Sequence, residues 1–220
     1  MTALTERVWG AHPPIQAANS LQVYVARLRR LLKEAGLGEG GASIRREVDS
    51  YRLALPPHLV DLHRARRVAT EAEASLVVGD DADAAISFRK ALGIWGVHPL
   101  ADIDGEWAEW MRAALIRERN ALLIRCADAE LRLGRHFQLL AELPQLAAEY
   151  PTEEELVRRA MIALYRCGFR DEAMRLFNRL RATLSSELGV EPGGNLQALF
   201  QSILRGEEVM VSLAIEDRAI

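Results

Sequence analysis

Cysteine is scarce in this 220-residue chain: Cys126 and Cys167 are the only two. Two thiols cannot build a disulfide framework or a four-thiolate zinc site, so an extracellular stapled fold is excluded and reduced structural thiols are expected. Long apolar runs are missing too, none approaching the roughly 18 to 20 residues of a membrane span. The start of the chain lacks the basic, apolar and small-residue succession of a secretory signal. A cytoplasmic protein with no membrane partner is expected. Catalytic signatures are absent as well: there is no G-x-x-x-x-G-K-[ST], H-E-x-x-H, C-x-x-C or G-x-S-x-G. The segment GLGEGG follows an expected helix rather than a strand, which is the wrong context for a dinucleotide fingerprint. His12, His58, His63, His98 and His136 are dispersed without ligand spacing. No enzyme, no metal and no cofactor is expected.

What is present is a segregation of charge. The net charge is −3, from 28 basic and 31 acidic side chains. Residues 1–56 carry eight basic against five acidic side chains, and residues 57–220 carry 20 against 26. A small basic unit joined to a larger acidic one can meet a polyanion through the first and proteins through the second. Ordinary surface variation produces a balance of this size equally well, so motifs must decide.

Two breaks organise the chain. The segment 36–43, GLGEGGAS, has four glycines in eight residues; each would cost a helix interior about 1 kcal/mol relative to Ala. Pro56-Pro57 removes two backbone donors and ends the strand before it. A domain boundary is placed there, giving 1–56, then 57–208, with 209–220 as a C-terminal tail. Beyond residue 60 the pattern is helical, and Gly134 and Gly168 stand 34 residues apart, the tetratricopeptide period. Counting onward from Gly79, Gly134 and Gly168, Ala84, Leu139 and Ala173 lie at +5, Phe88, Leu143 and Phe177 at +9, and Ala91, Leu146 and Leu180 at +12. That spacing shares one helical face. A tetratricopeptide-like array of three units is expected, with a 21-residue insertion between the first two. The insertion carries Trp95, Trp107 and Trp110; their first reading is as caps on the helical stack, their second as a ligand anchor.

Residues 17–33, AANSLQVYVARLRRLLK, are the most informative stretch. Asn19 or Ser20 can cap a helix, and Leu21, Val25, Leu28 and Leu32 recur as a buried stripe. The other side offers Gln22, Val23, Ala26, Arg27, Arg29, Arg30 and Lys33. Such a face suits the DNA major groove, where Arg pairs with guanine, Gln with adenine, and further cations neutralise phosphates. Upstream, LTERVWG reads as a short helix followed by the turn AHPPIQ. Downstream, SIRREVDSYRLAL reads as a β-hairpin turning near Val48 to Ser50. The expected fold is mainly α: a partial winged helix-turn-helix with a hairpin wing, then a tetratricopeptide-like helical array.

These motifs carry a family resemblance. VWG followed by PP, NSLQVYVARLRRLL, SYRLAL, VDLHRAR, ALGIWGVHPLADI, AELRLGRHFQLLAEL, ALYRCGFRDEAMRLFNRLRATLSSELGVEP and QSILRGE occur in family order over about residues 4–208. The chain resembles bacterial regulators of the SARP (AfsR-like) family, in which an OmpR-type winged helix precedes a bacterial transcriptional activator domain. The resemblance implies double-stranded DNA as partner, at direct repeats in promoters of secondary-metabolite type, with the helical domain serving dimerisation or RNA polymerase contact. By position it implies Gln22, Tyr24, Arg27 and Arg30 as the main DNA-binding residues, Asn19, Ser20 and Arg29 as supporting ones, and Arg46 in the wing. A short-form regulator is implied, since no ATPase motif is present.

Two departures qualify it. The family wing carries Gly-Gly-Tyr where this chain has Asp49-Ser50-Tyr51, and Asp49 would repel phosphate. The family domain also begins with a small sheet and a first helix before the segment matching LTERVWG, so an N-terminally truncated winged helix is expected. A scaffold that binds a protein or small ligand instead of DNA is the alternative reading.

Overall fold

A computed structural model describes residues 2–38, 41–48 and 50–207. Asp49 and the expected tail 209–220 lie outside the described residues. The molecule is mainly helical, with one two-stranded hairpin among the described residues. It divides into two compact units, residues 1–70 with 90–119, and residues 71–89 with 120–220.

The first unit begins with helices α1 (Thr2–Trp9) and α2 (Ala17–Glu34), followed by strands β1 (Ser43–Arg46) and β2 (Tyr51–Ala54). The strands pair antiparallel, with Ser43 opposite Ala54 and Arg46 opposite Tyr51. Glu47 N–H donates to the Ser50 carbonyl at 2.9 Å and Ser50 Oγ donates to Glu47 at 3.1 Å, closing the turn where the sequence placed it. A 3-10 turn at Pro57–Leu59 then leads into α3 (Asp61–Val77). The unit also holds the end of α4 (Asp81–Trp95), the loop 96–105 and the first half of α5 (Glu106–Arg132). Arg112 gathers that loop by donating to the carbonyls of Leu100 and Ile103, both at 2.8 Å, and Arg119 holds the Gly96 carbonyl at 2.8 Å. The tryptophans therefore divide: Trp95 is buried, Trp107 lies under the Arg7 guanidinium at 5.4 Å, and Trp110 is 66% exposed. Capping describes Trp95 but not Trp110.

The second unit continues from α5 through α6 (His136–Leu139), α7 (Leu143–Glu149), α8 (Glu154–Arg166), α9 (Arg170–Glu187) and α10 (Gly194–Arg205). The repeat positions form its core. Ala84, Phe88, Leu139, Leu143, Ala173, Phe177 and Leu180 are all buried, and Phe177 stacks on Phe200 with ring centroids 4.1 Å apart. In the middle repeat the single helix expected through Leu139, Leu143 and Leu146 is broken into α6 and α7. Pro144 falls in the first turn of α7, where its missing N–H is harmless; a continuous helix would have placed it in the interior.

All three repeats close their first helix the same way. The N–H of Asp80, Arg135 and Phe169 reaches back to the carbonyl of Ser75, Glu130 and Leu164, while Gly79, Gly134 and Gly168 bond to Leu76, Leu131 and Tyr165. This 6→1 plus 5→2 pairing requires a left-handed residue, and φ is +80°, +73° and +85° at the three glycines. No atom lies within 4 Å of a Cβ built on Gly168, so substitution there is a backbone effect alone. Gly168→Ala is expected to lower unfolding free energy by about 1 to 2 kcal/mol, read from urea denaturation midpoints.

Charged side chains tie the second unit together internally. Arg89 donates to both oxygens of Glu130, at 2.9 and 2.7 Å, and to Glu142 at 2.5 Å. Arg159, itself buried, donates to both oxygens of Asp128 at 2.9 and 2.8 Å, and Arg132 chelates Asp81. The Arg132 hydrogen bonds hold the Asp81 carboxyl below its ordinary range. Cys126 is buried beneath Ala85, and desolvation pushes its thiol up to about 12, which keeps it protonated and inert. Among the described residues no helix is long and apolar enough to cross a membrane.

Candidate nucleic-acid interface

The candidate interface is built on α2. The helix starts earlier than the Asn19 or Ser20 cap anticipated: Gln16 is its N-cap and makes no side-chain capping bond. Ala17 N–H donates to the Pro14 carbonyl at 2.9 Å, so the prolyl turn has already begun the helix three residues before Ser20. Asn19 is exposed and Ser20 partly so, both in the first turn. At the other end, Gly36 N–H and Leu37 N–H bond to the carbonyls of Lys33 and Leu32, each at 3.0 Å, and end the helix ahead of the glycine-rich joint.

α2 buries Ala17, Leu21 and Val25. The expected stripe stops there: Leu28 is 50% exposed, Leu31 is 56% exposed and Leu32 is partly covered. The elements packed most closely on α2 are α1 and β1, too little surface to cover the whole apolar side. Tyr24 lies on the α1 side, its ring 6.2 Å from that of Trp9, while remaining 45% exposed.

The opposite side is cationic and open. At the helical rotation of about 100° per residue, Asn19, Gln22, Val23, Ala26, Arg30 and Lys33 fall within an arc of about 100°. Arg27 borders the arc toward α1 and Arg29 toward β1. Gln22, Arg27 and Arg30 are exposed, and the 3.6 Å contact of Arg30 with Glu34 is a surface pair that gives way readily to a phosphate. Arg29 is exposed but engaged, its Nε and Nη2 donating to the Ile44 carbonyl at 3.0 and 2.9 Å.

Arg46 is exposed on β1. Arg45, which sequence reasoning passed over, is also exposed and stands opposite Arg52 in the hairpin register. Glu47 reaches Arg52 at 2.9 Å and relieves the like-charge pairing. The sequence signal for Arg45 was simply its place beside Arg46 on a strand. The structure thus places Gln22 and Arg30 on one helix face, Arg27 and Arg29 at its two margins, and Tyr24 beyond Arg27 on the α1 side.

Comparison with known proteins identifies the arrangement. Residues 60–204 match the family model "Bacterial transcriptional activator domain". The chain is 36% identical over 210 residues to the regulatory protein DnrI of Streptomyces peucetius, covering 93% of this chain and 77% of that protein. It is 36% identical over 215 residues to the regulatory protein AfsR of Streptomyces griseus, covering 97% of this chain and 21% of that one. A solved structure, Mycobacterium tuberculosis EmbR in complex with a low-affinity phosphopeptide, superposes with a TM-score of 0.84 at 30% identity, covering 94% of this chain and 55% of EmbR. This chain therefore spans about a fifth of AfsR and about half of the EmbR chain. With a partial winged helix, a hairpin wing and a tetratricopeptide-like array in family order, it belongs to the SARP (AfsR-like) family of bacterial transcriptional regulators.

Proposed function

We propose that the chain activates transcription by sequence-specific binding to double-stranded DNA, at direct repeats in promoters of secondary-metabolite type. Residues 1–56 form the reading domain, and residues 57–208 form the activator domain. Gln22, Tyr24, Arg27 and Arg30 are its main contacts, Asn19, Ser20 and Arg29 support them, and Arg46 meets the backbone or minor groove from the wing. The helical domain serves homodimerisation or contact with RNA polymerase, and the protein works in the cytoplasm.

The observation that carries this reading is the open cationic arc of α2 beside the hairpin. A helix of this width enters the major groove, where Gln22 and the arginines have base edges within reach, and the phosphates flank both margins. The test is a binding titration against a duplex carrying the promoter of its own transcription unit and a random duplex of equal length, at several salt concentrations. A clear preference for the promoter is expected, with affinity falling linearly on a log–log salt plot. Equal affinity for both duplexes at moderate salt would sink the proposal and leave the scaffold reading.

A further inference from the structure

Of the two arginines that border the cationic arc, Arg29 is the one that bonds to the hairpin. Its Nε and Nη2 converge on one oxygen, the carbonyl of Ile44, at 3.0 and 2.9 Å. The ladder explains why that oxygen is available. Glu47 N–H bonds to the Ser50 carbonyl, so the alternation of antiparallel pairs makes Ile44 opposite Leu53 a non-hydrogen-bonded pair. The Ile44 carbonyl therefore turns to the outer edge of β1, away from β2, and an edge carbonyl needs a donor from elsewhere. Arg29 supplies two. Arg46 lies two residues further along the same strand, on the same face as Ile44.

We propose that Arg29 is a positioning residue, which fixes β1, and with it Arg46, against the recognition helix so that helix and wing engage one duplex together. This rests on the DNA-reading proposal above and assigns Arg29 a role through the hairpin instead of a contact of its own. Lysine cannot replace it. An ammonium is a point charge on a flexible stem, whereas the planar guanidinium places two fixed donors on the oxygen.

Two measurements on the full chain decide the matter. Hydrogen exchange without DNA compares the parent with Arg29→Ala and Arg29→Lys. Positioning predicts that amides of 43–46 and 51–54 exchange about five- to tenfold faster in Arg29→Ala, while those of α8 and α9 are unchanged. Unchanged hairpin exchange overturns the proposal. The second measurement is a double-mutant cycle of Arg29→Ala with Arg46→Ala, read as affinity for the promoter duplex. Positioning predicts that Arg46→Ala weakens binding in the parent and has little further effect once Arg29 is gone. It also predicts that Arg29→Lys loses the coupling although its charge is kept. Full additivity, or parent-like binding by Arg29→Lys, shows that Arg29 acts as a cation toward DNA and overturns the proposal. Absence of any promoter preference in the parent sinks the DNA-reading proposal instead, and the exchange measurement still decides whether Arg29 holds the hairpin.

Discussion

Arg89→Met is expected to destabilise the helical array by about 3 kcal/mol, the lower end of the range for breaking a buried ion pair. The lower end applies because Arg89 itself is partly exposed, whereas the Glu130 side chain is only 4% exposed. Hydrogen bonds donated to Glu130 push the Arg89 pKa up against the opposing effect of burial, with the bond to Glu142 adding to them, so the guanidinium stays charged. Removing the guanidinium leaves Glu130 as a lone carboxylate facing the protein interior near Cys126, where water cannot compensate it. Urea denaturation of the purified chain measures the loss. The physical cause has its own signature: Arg89→Met combined with Glu130→Leu removes both charges and should recover most of the stability, since paired apolar replacements are commonly near neutral. A double variant no more stable than Arg89→Met would show that the loss is one of packing.

Arg27→Ala with Arg30→Ala is expected to lower promoter affinity about a hundredfold or more, because each arginine that reads a base or a phosphate contributes about 1 to 3 kcal/mol. The two effects separate by salt. If both residues meet phosphates, the slope of the log–log plot falls by about 0.9 for each, and random DNA loses affinity as well. If they read guanine edges, the slope changes little and the preference for the promoter over random DNA collapses. Arg175→Ala, an exposed arginine on α9, serves as the control and should leave both affinities unchanged. Promoter binding unaffected by the double replacement would remove α2 as the reading element.

Much of the architecture was legible in the sequence because it follows from local chemistry. Gly79, Gly134 and Gly168 are marks of a left-handed helix end, and the small and large residues at fixed offsets beyond them report one buried face. The hairpin was readable from its alternation and from the turn at 47–50. Errors arose where a local preference competed with a neighbour in the chain. Asn19 and Ser20 are good caps, but Pro14 had already turned the backbone into helix. Leu146 shares the periodicity of Leu139, but Pro144 lies between them and splits the helix. Leu28 has the right spacing for the core, and its exposure depends on how much surface covers it rather than on α2.

The candidate interface shows the same division. That α2 has one apolar and one cationic side is dictated by 3.6 residues per turn, and reading it needs no coordinates. Which arginines remain open is a different matter. Arg29 and Arg30 are adjacent and chemically identical, yet one holds the Ile44 carbonyl and the other faces outward with only a surface carboxylate nearby. Nothing local distinguishes them, because the carbonyl lies 15 residues away and is unsatisfied only through the register of the hairpin. Likewise Arg89 and Glu130, 41 residues apart, become a buried pair only when their helices pack. By itself the sequence determined the helices, their ends, the repeat and the cationic face, since these depend on periodicity and backbone propensity within a few residues. Only the tertiary structure decided which charges are consumed internally and which are left exposed, since that depends on partners brought together across the chain.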